Sequence, residues 1–332
     1  MSSQYTLRQG TQMYCFAYEL RTFQYSTDDV LQWCGHFGVG DHRFGLGAPQ
    51  NRGAFPEATN EFERYLKSAI DRFGLTPGMY GAYMDPLSHP TDDEKFEFSL
   101  VQLKSARKLG FPLMRTWWVG PAVMDRLLPY AEKYRIQLAY EIHAPMVIGK
   151  GHTQTDQCIA YVRKKSSPYL GILPDGGAFA TKTPCVVTNY LIHQLRVSPA
   201  IVQQAQRWHD DKVPRDKALA EAKKLDPPDI AAFTVQMTYG HAPAGDPNEL
   251  RSLMPFVMEI HGKNFGVKNG QVDEIPYDDI VRILVEAKWP GSISTEYEAH
   301  LYAPEPYLED AATHVRDFQA MIQRMAKKYS SA

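Results

Sequence analysis

A basic excess is missing from this chain. Lys and Arg number 36 against 38 Asp and Glu, for a formal net charge of −2. Proteins that neutralise phosphate backbones carry surplus Lys and Arg, so no nucleic-acid partner is expected. Cysteine is scarce and scattered, at Cys15, Cys34, Cys158 and Cys185, with no Cys-x-x-Cys pair. That spacing offers neither a zinc ribbon nor a thioredoxin-like motif, and favours reduced thiols over a disulfide framework. No apolar run approaches the length of a membrane span, and Met1-Ser2-Ser3-Gln4 is not a basic stretch leading into an apolar one. A soluble, cytoplasmic protein without a membrane partner is the expectation. No Gly-x-Gly-x-x-Gly follows the first apolar run, and no Walker loop occurs. A dinucleotide-binding, doubly wound sheet therefore lacks its usual signatures.

What the sequence does have is alternation. Short apolar runs that read as strands lie at Gln12–Tyr18, Arg43–Leu46, Gly78–Met84, Phe111–Trp118, Ile136–Glu141, Tyr169–Asp175, Pro255–His261 and Gly291–Tyr297. Between them fall helical patterns: Val30–Phe37 after Ser26-Thr27-Asp28-Asp29, Glu61–Phe73, and a long helix from Thr91 to Lys108 ended by Gly110. Further helices are predicted at Ala122–Tyr134, Asp156–Lys164, Asp278–Ala287 and Leu308–Lys328. Eight strands alternating with helices predict a (β/α)8 barrel, and 332 residues with 44% apolar side chains suit one large domain over 1–332. The interval from the sixth to the seventh strand is too long for one crossover. It reads as an insertion at about 181–253, with helices near Ser198–His209, Arg215–Leu225 and Pro228–Met237.

The stretch organising the rest is Gln137-Leu138-Ala139-Tyr140-Glu141-Ile142-His143-Ala144-Pro145. On a strand, residues i and i+2 share a side, so Glu141 and His143 face one space. Asp175, His261 and Glu296 fall where the next three strands should stop, at the carboxyl face where barrels build active sites. Three carboxylates and an imidazole make a hard, oxygen-rich donor set suited to Mn²⁺ or Mg²⁺, with Co²⁺ as another option. Each has a plainer alternative. Asp175 can be a turn residue and His261 a surface histidine. Glu298 competes with Glu296 by strand parity, as Glu259 does with His261. Lys263 and His300 read first as solvated charges, and Trp117, Trp118 and Tyr14 as core aromatics or the wall of an aromatic ligand.

Glu141-Ile142-His143-Ala144-Pro145, Pro174-Asp175-Gly176-Gly177, Ile260-His261-Gly262-Lys263 and Ser294-Thr295-Glu296-Tyr297-Glu298-Ala299-His300 together resemble the xylose isomerase-like barrels of sugar isomerases and epimerases. Within that superfamily the sequence is most similar to the catalytic alpha subunit of C-glycoside deglycosidases. The resemblance implies a metal held by Glu141, Asp175, His261 and Glu296, with His143 as acid/base. Lys263 would assist catalysis, and Glu298, His300, Trp117 and Tyr14 would contact substrate. It also implies a 3-keto C-glycoside as substrate, lyase-type cleavage through an enolate, and a small beta subunit in a hetero-oligomer. Relatives often carry His-x-His-Gly-Lys at the seventh strand, where Glu259 replaces the first histidine here. A ketose epimerase or isomerase using the same enolate chemistry is the main competitor. A DNA-repair-type endonuclease would need a basic groove, which the charge balance does not offer.

Overall fold

The computed structural model describes residues 5–37, 43–47, 57–82, 88–148, 153–303 and 310–330. Among these lie eight strands: β1 (Arg8–Gln12), β2 (Arg43–Gly47), β3 (Thr76–Gly81), β4 (Leu113–Thr116), β5 (Gln137–Ile142), β6 (Leu170–Pro174), β7 (Ile260–Asn264) and β8 (Ser292–Tyr297). They form one parallel sheet in the order β6-β5-β4-β3-β2-β1-β8-β7. The β6 and β7 edges meet through two parallel bridges, Ile172 with Val257 and Asp175 with His261. The sheet is thus a nearly closed β/α barrel, as the alternation predicts.

The helices start and stop where the local chemistry requires. After α1 (Ala17–Arg21), α2 (Thr27–His36) opens on a Ser26–Asp29 capping box. Following α3 (Asn60–Phe73), α4 (Asp92–Leu109) opens on a Thr91–Glu94 box and ends at Gly110, whose φ of 84° favours glycine. α5 (Pro121–Tyr134) and α6 (Thr153–Lys165) lead to β5 and β6. Between β6 and β7 come α7 (Cys185–Asn189), α8 (Pro199–Asp210), α9 (Arg215–Ala222) and α10 (Pro228–His241), with no strand among the described residues. They bury a cluster of their own around Leu191, Val202, Ala205, Ala218 and Val235. α11 (Tyr277–Glu286) and α12 (Ala311–Ser330) complete the ring. The expected starts of α12 at Leu308 and end of β3 at Met84 lie outside the described residues.

Two expected strands are displaced. Met13–Phe16 is a 3₁₀ turn and Ala17–Arg21 is helical, so the first strand lies earlier, in the polar run Arg8–Gln12. An apolar run alone does not separate a strand from a buried helical turn. The polar β1 is buried because Gln319 on α12 serves it: Gln319 Nε2 donates to the Gly10 carbonyl at 3.1 Å and to Thr11 Oγ1 at 3.0 Å. At the seventh strand, Met254–Phe256 is another 3₁₀ turn, consistent with the missing donor of Pro255. β7 runs on to Asn264, so His261 is not its last residue, and Lys263 rides on the same strand.

Inside the barrel, Met79, Leu113, Ala139 and Leu173 pack together with Met258 against them. Ala139 shares strand parity with Glu141, and Leu173 with Asp175, so an apolar floor lies one layer below the strand-end carboxylates. The opposite half of the floor is polar. Gln12 Nε2 donates to Ser294 Oγ at 2.8 Å and to Glu259 Oε1 at 3.4 Å. Gly45 leaves the room that the Gln12 carboxamide fills.

Candidate metal centre

Glu141 and Glu296 near the ends of β5 and β8, Asp175 just past β6 and His261 near the start of β7 come together. One donor atom from each falls within 4.8 Å of all the others, and all four residues are buried. His261 Nδ1 stands 2.7 Å from Glu141 Oε1 and 3.5 Å from Glu296 Oε2. Neither ring nitrogen of His261 completes a hydrogen bond, nor do Asp175 Oδ2 and Glu296 Oε2. Buried polar atoms in such numbers are seldom left without partners. Donor atoms gathered this closely, with hydrogen bonds left incomplete, are what a cation satisfies.

Asp175 shows how the site is built from local structure. Its Oδ1 accepts the Gly177 N–H at 2.6 Å, capping the turn Gly176–Phe179, while Oδ2 is left for the cluster. One oxygen of Asp175 thus serves the turn, and the other is presented to the cluster. Gly177 is needed there, because a Cβ would lie 2.7 Å from Asp175 Oδ1 and 3.0 Å from Lys263 Cδ.

Two cations balance part of the charge. Arg115 Nη1 on β4 donates to Glu141 Oε2 at 3.0 Å. Lys263 Nζ lies 3.3 Å from Asp175 Oδ2 and 3.1 Å from Glu298 Oε2. Four carboxylates (Glu141, Asp175, Glu296, Glu298) against Arg115 and Lys263 leave two negative charges, with His261 neutral as a ligand must be. A single divalent ion closes that balance, so the residues present fit one.

Titration follows the same map. Burial pushes the Glu141 carboxyl up, but Arg115 and His261 outweigh it and hold it well below the usual range. Glu296, likewise opposed by burial, is held at about 2 by His261 and Lys263. For Asp175 and Glu298 burial wins over Lys263, and both are raised. Burial lowers Lys263, yet Asp175 and Glu298 carry it well above its ordinary value, so it is an ammonium. Glu259, one layer down, is raised to about 7 by burial despite His261 and Arg43.

His143 stands beside this cluster. Its Nδ1 lies 2.6 Å from the Ala144 carbonyl oxygen, which only accepts, so Nδ1 carries the proton. Nε2 is then free to accept, and the Lys263 ammonium donates to it. The solvated readings of Lys263 and His300 are overturned: they are 2% and 7% exposed. Lys263 lies on β7, and His300 lies on the 3₁₀ turn Ala299–Leu301 just past β8. Burial lowers His300 to about 4, keeping it neutral, and its ring meets Tyr14 edge-on at 4.9 Å. His261, also read as a possible surface histidine, is 1% exposed. Glu298 joins Lys263 and not the four-donor group. Trp117 lies near the site, with the Arg115 guanidinium 5.7 Å from its ring, whereas Trp118 packs on Tyr140 and Tyr161 in the core.

Sequence reasoning missed Arg115, although a lone arginine inside the apolar run Phe111-Pro112-Leu113-Met114-Arg115 was a usable signal. It also missed the aromatic group Tyr190, His241, Phe265 and Tyr302, which comes together only through long-range packing. A cavity of about 490 Å³ opens beyond Tyr302 and Phe265, lined also by Asn189, His193 and Gln194; none of the four clustered donors lines it.

No family model matches the chain. It is 29% identical over 312 residues to the 3'-dehydrocarminate deglycosidase alpha subunit of Microbacterium sp, covering 88% of each chain. It is 27% identical over 311 residues to the C-glycoside deglycosidase alpha subunit of Microbacterium trichothecenolyticum, covering 87% of this chain and 83% of that one. Among solved structures, L-ribulose 3-epimerase shares the fold with a TM-score of 0.54 at 12% identity, over 98% of this chain and 96% of that one. D-psicose 3-epimerase, in the presence of D-fructose, does so with a TM-score of 0.54 at 10% identity, over 96% and 99%.

Proposed function

We propose that this xylose isomerase-like barrel, similar in sequence to C-glycoside deglycosidase alpha subunits, is the metal-dependent catalytic subunit of such an enzyme. In this reading the chain is one domain, with residues 181–253 an elaboration of the β6–β7 crossover. The observation that carries it is the meeting of four metal-type donors with the His143–Lys263 pair in one barrel mouth. Glu141, Asp175, His261 and Glu296 would hold one divalent ion. The hard donor set favours Mn²⁺, with Mg²⁺ or Co²⁺ as substitutes. When bound, that ion supplies a Lewis acid for the ketone oxygen of a 3-keto sugar.

The chain's own residues do the rest. A ketone at C3 acidifies the C2 proton, and His143 Nε2 is the base that takes it. Lys263 occupies that nitrogen here, so an arriving substrate oxygen must draw the ammonium away before the proton can move. Lys263 then faces the oxygen on which negative charge develops. The electron pair released at C2 forms the enolate. As the ketone returns, C1=C2 forms and the bond from C1 to the aglycone breaks with its pair on the aglycone carbon. The proton held by His143 ends on that carbon. No electrons are gained or lost overall, so a separate oxidoreductase must supply the 3-keto substrate. Phenol groups on an aromatic aglycone make the departing carbanion tolerable. Tyr14, His300 and Trp117 would contact substrate. The relatives' designation as alpha subunits supports a partner, here proposed as a small beta subunit.

One observation favours a second reading. Glu298 is a buried carboxylate beside Lys263, and a second acid/base is what an epimerase needs to return a proton to carbon. Incubation with a 3-keto C-glucoside and with a free ketose, side by side, decides between them. Release of the aglycone supports deglycosidation; turnover of the ketose alone replaces it with epimerisation.

A further inference from the structure

One helix of the β6–β7 interval reaches the barrel mouth. α10 ends at His241, whose Nδ1 lies 2.8 Å from the Met237 carbonyl oxygen and whose Nε2 lies 2.6 Å from the Tyr302 hydroxyl. A carbonyl only accepts, so Nδ1 carries the ring proton, and Nε2 must accept from Tyr302. Burial, which lowers this imidazole's pKa, keeps it in the neutral form that such an arrangement requires.

Tyr302 follows β8, four residues past Glu298. Its position is fixed from several sides. Gln194 Nε2 donates to its carbonyl at 3.0 Å, and its ring meets His241 at 5.1 Å, Tyr190 at 5.8 Å and Phe265 at 6.0 Å. Glu298 and Lys263 both act on its phenol, which burial first of all pushes up to about 12, so the hydroxyl keeps its proton. That proton is committed to His241. The remaining lone pairs of the phenolic oxygen are left for another donor, and Tyr302 is only part-buried.

We infer that His241 is a positioning residue for the sugar: by taking the Tyr302 proton it leaves the phenolic oxygen as a fixed acceptor for a sugar hydroxyl at the barrel mouth. The inference rests on the sugar-directed reading above. It gives the β6–β7 interval a part in substrate recognition, since Tyr190, Gln194 and His241 all come from it. An acceptor of this kind binds ground state and transition state alike, so its loss raises KM and spares kcat.

The test has two arms. Imidazole nitrogen NMR of isotope-labelled protein, without any substrate, should find His241 as the Nδ1–H tautomer, with an Nε2 signal that moves in Tyr302→Phe. An unmoved signal or the other tautomer overturns the inference. In the second arm, His241→Phe should raise KM roughly fivefold with kcat within about twofold. It should add nothing in a Tyr302→Phe background, and His241→Gln, which keeps an acceptor, should restore most of the loss. Additive effects of the two substitutions, or a fall in kcat alone, overturn the inference. Wild-type inactivity on both the keto-glucoside and the ketose sinks the proposed function instead, and the first arm then judges the His241–Tyr302 pair alone.

Discussion

Asp175 divides its two oxygens between a turn and a site, so its loss should cost both. Asp175→Ala and Glu141→Ala are expected to purify with far less than the one divalent ion per chain of the parent, as read by elemental analysis. Stoichiometric metal in both variants would remove these ligand assignments. His143→Ala touches none of the four donors and should retain the ion while losing aglycone release from a 3-keto C-glucoside by about two orders of magnitude or more. Undiminished turnover would dispose of His143 as the base. His261 sets the pH dependence. Burial lowers its pKa, but Glu296 and Glu141 carry it well above the ordinary value while no cation is present. Below that raised pKa a proton holds the place of the ion, so metal uptake must release it and affinity must rise with pH. Calorimetry in buffers of different ionisation enthalpy measures the proton count, and a pH-independent affinity would contradict His261 as a ligand. The residue types were legible because Glu141, Asp175 and His261 each close a largely apolar run in the sequence, and Glu296 stands near the end of the eighth. The choice of Glu296 over Glu298 needed the β7–β8 register, which pairs Lys263 with Glu296.

At the scale of elements, β7 carries the most: the clustered donor His261, the charged Lys263, and between them Gly262 with no side chain. A Cβ at Gly262 would lie 2.7 Å from Phe318 Cε1 and 2.8 Å from Ile293 Cγ2. Phe318 is fully buried and edge-on to Tyr277, whose hydroxyl donates to the Lys263 carbonyl at 2.6 Å. Overpacking here has no surface to relax into. Gly262→Ala is expected to lower stability by about 1–3 kcal/mol, read as a reduced urea midpoint at unchanged slope. An unchanged midpoint would show that α12 gives way without cost. Helix ends were legible at Thr91–Glu94 and Gly110, where side-chain oxygen and glycine act within one turn. β1 was not, because Gln9, Thr11 and Gln12 are buried by partners roughly three hundred residues away on α12 and β8.

For the molecule as a whole, four strands and two further cations converge on one charge balance that only the assembled barrel presents. A ligand bound by the folded chain alone stabilises it, by about 2.7 kcal/mol at a hundredfold excess over Kd. Chelation should therefore lower the Tm by several degrees, and Mn²⁺ should restore it. An unmoved Tm on both steps would argue that no ion is held here. The sequence by itself determined the barrel, since strand and helix alternate through local periodicity, and it determined the donor types at the strand ends. Tertiary structure alone decided which donors share a point, that Lys263 rests on His143, and that His241 from the long β6–β7 interval meets Tyr302. The Lys263–His143 and His241–Tyr302 contacts join residues 120 and 61 positions apart, and no local pattern encodes a distance across the barrel mouth.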